Sequence, residues 1–463
     1  MISQDILGRS MAGPGIRTYS LSQVLARHRR TLVASPRHDA ADLPPNGAEF
    51  HHFELGDWST LAPLVQQCSV CVAQGDIVNI FPELADVDAA VVIDGYTPYL
   101  AEHLSTWAHL PVAEQIPHWS LRLQILNRQY RVGDFFICAS ERQRDWWLGL
   151  LEGAGRINPH TSAQDPSLRK LIDVVPYGVD DAPRVTIRQA IRGVWPGVGP
   201  TDKLILWGGG LWNWLDPLTA IRAMAKVTLA RSDVKLIFPG TRHPNPDLDG
   251  MPTHTRVARA LAEELGLADK TVLFGDWVPF EDWPAVLLES DLALSLHFDS
   301  YETRLAFRSR MLGYIWAGLP TIATRGDATG DVVAAYGLGE LVDVGDADAV
   351  AAAMLRWLDT PRAELEPRFE RARADYAWER AAGPLIRFCQ NPCRAADRGA
   401  GMLRPIEATQ APPSPAPPDD RALPEALAAL ETLRNERDRL RATVTGYEQG
   451  RFIRLMRWLK NRI

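Results

Sequence analysis

The sequence has little cysteine. Five thiols, at positions 68, 71, 138, 389 and 393, are an odd number in 463 residues. That fits a reducing compartment better than a disulfide-stapled scaffold. Cys68 and Cys71 form a C-x-x-C, but no second pair stands at zinc-finger spacing. Two readings stay open for this pair: buried thiols of the 61–80 segment, or a redox or metal pair. Long apolar runs are also missing. None approaches the roughly 18 residues of a membrane span. The opening MISQDILGRS has an early acid and no apolar stretch, so no secretory signal is expected there. Excess positive charge is lacking: the formal net charge is −7, which argues against nucleic acid as the main partner. HExxH, G-x-S-x-G, EF-hand and Walker A signatures are absent from the sequence, which disfavours zinc proteases, α/β-hydrolases and P-loop ATPases.

What is present suits a soluble globular protein. Hydrophobic residues make up 46% and charged residues 23%, and at roughly 150 residues per domain the length predicts two to three domains. Short apolar runs at 31–34, 89–94, 134–139 and 171–175 read as strands, separated by amphipathic stretches such as 19–28 and 141–151. The same grammar returns at 203–207, 234–239, 271–274, 291–296 and 321–323. Strands alternating with helices imply βαβ units and parallel sheets. Two such sets predict two facing, doubly wound, Rossmann-like α/β domains, at 1–190 and 200–374, with a helix at about 375–396 packing back on the first. Ligands of such sheets bind at the carboxyl ends of the strands.

The C-terminal part changes character. Residues 397–421 include PIEATQAPPSPAPPDD and read as a proline-rich linker. Residues 422–445 place Leu423, Leu427, Leu430, Leu433 and Leu440 near an a/d seam. This predicts a short coiled coil that self-associates, or a single packed helix. Residues 446–463 end in a basic amphipathic helix. From 451 it carries Arg451, Arg454, Arg457, Lys460 and Arg462 against Phe452, Leu455, Met456, Leu459 and Ile463. It suits an anionic membrane surface or an acidic partner. The expected location is cytoplasmic, peripheral at the inner face of the membrane.

Three glycine-bearing or arginine-bearing turns fall at expected strand ends. The first, MAGPGIRTY, puts Gly13 and Gly15 at the start of a helix, where backbone can approach a ligand and a helix N-terminus favours an anion. The second is KLILWGGGLWNWLDP, 203–217. Gly209 and Gly210 offer amides to a diphosphate, and Trp212 and Trp214 offer flat faces or merely fill the cleft wall. Asp216 before Pro217 reads as a helix N-cap. The third, HFDSYETRLAFRSR, concentrates Glu302, Arg304, Arg308 and Arg310 after a strand. Arginines there suit an anionic, bidentate partner, or a solvated face paired with Glu302 and Asp299. Arg242 and His243 follow another strand, where a further phosphate contact is expected.

Taken together, MAGPGIRTY (11–19), CASERQRDWWLGLL (138–151), IDVVPYGVD (172–180), WGGGLWNWLDP (207–217), FPGTRHP (238–244), LFGDWVPFEDW (273–283) and RSRMLGYIWAGLPTIAT (308–324) resemble a retaining glycosyltransferase of the GT-B fold, family 4. The resemblance runs from about Met1 to Cys389. It implies that a nucleotide-diphosphate sugar serves as co-substrate in the second domain, that a glycan or lipid-linked acceptor sits mostly in the first, and that no metal or other cofactor is needed. Carried over, Arg308 and Arg310 contact the diphosphate, Glu302 orients the donor sugar, Trp277 and Val278 lie near the base, and Asp94 stands where the family's sugar-touching histidine does. The pattern departs from the family at Gly313, where the usual second acid of the Glu-x7-Glu signature is missing, and in the GGGLWNWLD loop, which lacks the usual Arg and Lys. A non-catalytic scaffold of the same fold is the competing reading.

Overall fold

The computed structural model describes residues 1–36, 46–185, 188–241 and 254–398. The expected linker, coiled coil and basic helix at 397–463 lie outside them, apart from residues 397 and 398, as do Arg242 and His243. Residues Met1–Pro405 form one compact unit.

Every strand pair is parallel, as alternating βαβ grammar demands. The first lobe holds β1 (Leu32–Ser35), β2 (Glu49–His52), β3 (Val70–Gln74), β4 (Ala90–Asp94), β5 (Phe135–Cys138) and β6 (Ile172–Val174). β1 pairs with β2, and β3 to β6 form an ordered sheet. Ile2 bridges Ala34 and Ala73, tying the two pieces together. The second lobe holds β7 (Lys203–Trp207), β8 (Val234–Phe238), β9 (Val272–Phe274), β10 (Leu292–Ser295), β11 (Thr321–Thr324) and β12 (Gly339–Val342) in the order β12-β11-β10-β7-β8-β9. The order reverses between β7 and β10, which places the switch point at the end of the WGGGLWNWLDP strand. Central strands such as β4, β5, β10 and β11 are buried throughout, because helices cover both faces.

Local chemistry sets the helix ends nearest the cleft. Asp216 caps the helix Pro217–Ala230: its carboxylate accepts from the Thr219 amide at 3.0 Å and the Thr219 hydroxyl at 2.6 Å. Gly318 ends the helix Arg310–Ala317 in the left-handed region at φ 66°. The chain then returns to the first lobe. The helix Arg362–Tyr376 stops before Ala377, which bridges Val179. Trp378 lies on Gly178, where a Cβ would come within 2.3 Å of the indole. Further on, Phe388 in the helix Gly383–Gln390 stacks on Phe135 of β5, centroids 4.6 Å apart.

The two cysteines of the C-x-x-C part company. Cys71 is buried in β3, while Cys68 lies before it, half-buried, with its thiol directed at the Leu64 carbonyl. Burial pushes the Cys71 thiol up to about 12, so it is not primed as a thiolate.

Candidate active site in the inter-lobe cleft

The cleft is lined by the carboxyl ends of β7, β10 and β11 on one side and by the Gly13–Ala26 helix, the end of β4 and the Tyr99–Trp107 helix on the other. A buried amide is one of the ties between the lobes: Gln143, fully buried, donates from Nε2 to the Tyr96 carbonyl at 2.8 Å and the Leu305 carbonyl at 2.9 Å. Nearby, the Tyr96 hydroxyl bonds Ser309, and Phe280 donates its amide to the Arg9 carbonyl at 2.9 Å.

Arg310 begins the helix Arg310–Ala317 beside the β7 turn. Its guanidinium lies 5.8 Å from the Trp207 ring centroid. A Cβ on Gly209 would be 3.7 Å from its Nη2, and Gly209 has φ 94°, a conformation glycine adopts without strain. Nη1 is buried with no hydrogen-bond partner among the described residues. Burial pulls this guanidinium below its ordinary value. A desolvated cation with an open donor at a strand end is a place where an anion would be stabilised. Gly13 faces the same point from the other lobe: a Cβ there would be 3.6 Å from Ser309 Oγ and 3.7 Å from Tyr96 Oη.

The other expected contacts are distributed differently. Glu302 and Arg308 face each other, Nη1 to Oε1 at 2.6 Å and Nη2 to Oε2 at 2.8 Å, and both are buried. Arg308 is thus neutralised by Glu302, which leaves neither side chain free as it stands for the roles expected of it. Asp94 needs a correction. It is held by Arg17, Nε to Oδ2 at 2.8 Å and Nη2 to Oδ1 at 3.0 Å, with Arg17 fully buried and also bonded to the Val175 and Pro176 carbonyls. Two of its acceptor positions are thus taken by Arg17, where a free acid was expected. Gly15 is corrected as well: its amide donates to Asp5 Oδ2 at 3.2 Å, and a Cβ would lie 2.5 Å from the Ile6 carbonyl oxygen. It faces the loop before the helix, not the cleft.

In the β7 turn, Gly208 donates its amide to the Tyr314 hydroxyl at 2.9 Å, and a Cβ on Gly210 would lie 3.1 Å from Trp212 Nε1. Trp212 and Trp214 stack on each other, centroids 5.5 Å apart and planes 9° apart. Trp277 lies on Gly240 after β8, where a Cβ would be 3.2 Å from the ring. Trp277 and Val278 line a cavity of about 780 Å³ along β9, with Trp195, Gly275 and Val286. Gly313 is half-buried; a Cβ would be 3.1 Å from Leu287 and 3.9 Å from Trp283 Nε1. A side chain at position 313 would therefore meet hydrocarbon and an indole.

Sequence reasoning missed Arg17, Gln143, Tyr96 and Glu102. Glu102 lies in the Tyr99–Trp107 helix, which packs against the helix Tyr301–Leu305. Burial, then the neighbouring Glu302 carboxylate, push Glu102 up to about 8. Among the described residues no group of three or more His, Cys, Asp or Glu side chains is arranged to hold a metal, and no helix is long and apolar enough to cross a membrane.

Two facing parallel α/β lobes with a cationic cleft at the strand ends define the GT-B architecture, and solved structures share it. The chain is similar to WaaG, a glycosyltransferase involved in lipopolysaccharide biosynthesis, at 14% identity and TM-score 0.54 over 87% of this chain and 100% of that one. It is similar to sucrose-phosphate synthase from Thermosynechococcus elongatus, at 15% identity and TM-score 0.55 over 84% and 97%. It is also similar to Anabaena Alr3699/HepE, solved in complex with UDP and glucose, at 14% identity and TM-score 0.57 over 84% and 99%. At these identities the likeness is one of fold. Among curated proteins none matches the sequence. The chain has the GT-B fold, and residues 202–360 in its second lobe match the family Glycosyl transferases group 1.

Proposed function

We propose that the chain transfers a sugar from a nucleotide-diphosphate donor, with retention and without a metal, onto a glycan or lipid-linked acceptor in polysaccharide or cell-envelope synthesis. The observation that carries this reading is Arg310: a desolvated guanidinium with an unpartnered N–H, beside the Gly209 turn at the switch point of the second sheet. The donor diphosphate lies against Arg310, Gly209 and Gly210. The base lies toward Trp277 and Val278, and the acceptor comes from the side of residues 1–190. The group developing negative charge in the transition state is the departing diphosphate, so a fixed cation at that point lowers the barrier. The neutral Glu302–Arg308 pair stiffens the cation's surroundings and does not itself supply charge. UDP in one structural neighbour's complex makes uridine nucleotides the first donors to test. The tail at 446–463 would hold the enzyme at the inner membrane face, and 422–445 would mediate self-association.

A second reading is supported by the mutual neutralisation of Glu302 and Arg308 and by Gly313: a GT-B protein that binds without catalysing. Calorimetric titration of UDP-, GDP- and dTDP-sugars, followed by product detection on the binders, separates the two. Binding with turnover supports transfer. Binding without turnover on any acceptor supports the second reading, and no binding removes the donor site.

A further inference from the structure

Three buried polar atoms point at one another without touching. His297 Nε2, Arg308 Nε and Asp327 Oδ2 each lack a hydrogen-bond partner among the described residues. Asp327 Oδ2 stands 3.7 Å from His297 Nε2 and 3.6 Å from Arg308 Nε, too far for direct bonds and near enough for a guest to bridge Asp327 to each of the other two. His297 and Asp327 are each 1% exposed and Arg308 8%. Leaving three such atoms empty is costly, so the niche is built for an occupant.

The rest of each side chain fixes what the occupant must offer. His297 Nδ1 faces the Phe298 carbonyl at 3.1 Å. A carbonyl only accepts, so Nδ1 carries the proton. Burial first, opposed by the Asp327 charge and joined by that of Arg308, holds this imidazole below its ordinary value, so the ring is neutral and Nε2 is a bare lone pair. Asp327 uses Oδ1 to cap the helix Ala328–Tyr336, accepting from the Gly330 amide at 2.6 Å, and Oδ2 is left as a second acceptor. Arg308 spends both Nη atoms on Glu302 and has Nε–H to give. Burial raises the Asp327 carboxyl above its ordinary value; with that carboxyl ionised, the occupant donates two hydrogens and accepts one. A single hydroxyl has one hydrogen too few. A water fits, and so do two adjacent hydroxyls of a sugar ring.

The position favours the sugar. The niche is at the carboxyl ends of β10 and β11, on the same loop as Arg310. The facing lobe packs on the chain just before Arg308, through the Tyr99–Trp107 helix against the helix Tyr301–Leu305 and the Gln143 bond to Leu305. We propose that His297, Arg308 and Asp327 form the subsite that reads a vicinal diol of the transferred sugar, with water in its place when no donor is bound. This rests on the donor-sugar reading of the cleft. It also gives Arg308 a sugar-side role distinct from the diphosphate contact expected of it.

The experiment uses the full chain. UDP-glucose, UDP-galactose, GDP-mannose and dTDP-rhamnose are titrated calorimetrically, each beside its free nucleotide diphosphate. The tightest nucleotide-sugar is then compared with versions lacking one ring hydroxyl at a time. Loss of either of two adjacent hydroxyls is expected to weaken binding at least about tenfold, since a site made to bond a hydroxyl is left unpaired without it. Asp327→Asn, which keeps size and replaces an acceptor with a donor, is expected to reduce that discrimination to under about threefold while the free nucleotide binds as before. Equal binding of all deoxy donors by the wild type would overturn the proposal and leave water as the occupant, as would wild-type discrimination in a folded Asp327→Asn. Failure of every nucleotide and nucleotide-sugar to bind would overturn both this and the donor site, and so differs from failure of the subsite.

Discussion

Arg308 and Glu302 meet fork to fork at 2.6 and 2.8 Å across six residues of chain, with the Glu302 side chain wholly out of solvent. Two charges taken from water in this way hold each other in place more than they stabilise the fold. Removing one partner is therefore far worse than removing both. Glu302→Gln is expected to cost about 3–5 kcal/mol in urea unfolding. The double variant Glu302→Leu/Arg308→Met should recover a large part of that loss. A double variant no more stable than Glu302→Gln would show the pair to be net stabilising.

Arg310 carries the catalytic reading. Arg310→Ala is expected to lower turnover by at least about 100-fold, the scale of one preorganised charge partner. Arg310→Lys should restore part of it, because a compact ammonium supplies charge without the planar fork. Steady-state kinetics with the best donor checks this, and undiminished turnover in Arg310→Ala removes the assignment.

Gly209 tests the same contact through the backbone. At φ 94° a Cβ is strained, and it would stand in van der Waals contact with the Arg310 guanidinium 3.7 Å away. Gly209→Ala should destabilise by about 1–2 kcal/mol and lower turnover at least tenfold at temperatures where the variant is folded. A stability loss with unchanged turnover would separate the turn from the chemistry.

Glu102 makes stability depend on pH. Its folded value, about 8, lies above the ordinary carboxylate value of 4.5. Between these values the folded chain holds a proton that the unfolded chain has lost, so this group's contribution is full below about pH 4.5 and is lost as pH rises toward 8. Glu102→Gln, which is neutral throughout, should flatten that fall and be more stable than wild type at pH 8 by on the order of 2 kcal/mol. Unfolding curves from pH 5 to 9 measure it, and parallel curves for the two proteins would place Glu102 in water.

The strands of the two lobes were largely legible in the sequence because buried parallel strands are short, continuous apolar runs: all nine expected runs correspond to strands. Those missed carry other signals. β2 reads EFHH and is partly exposed, β3 contains the C-x-x-C, and β12 begins on a glycine. Arg310 could be singled out too, as a cation of the arginine-rich stretch between β10 and β11. Arg17, Gln143 and the guest niche could not. Their partners stand 77 residues away for Arg17–Asp94 and 162 for Gln143–Leu305, so no local spacing announces them. Asp94 and Gly15 misled for the same reason: position after a strand does not reveal that Arg17 or Asp5 has already claimed the group.

The Gln143 amide has two hydrogens on one nitrogen, one for a carbonyl of each lobe. It cannot stretch when the lobes separate, and Leu305 O is the carbonyl it must release. Leu305 lies three residues before Arg308 and five before Arg310. A residue of the first lobe thus grips the backbone of the second three residues before Arg308, so the position of both arginines is tied to a side chain outside their own lobe.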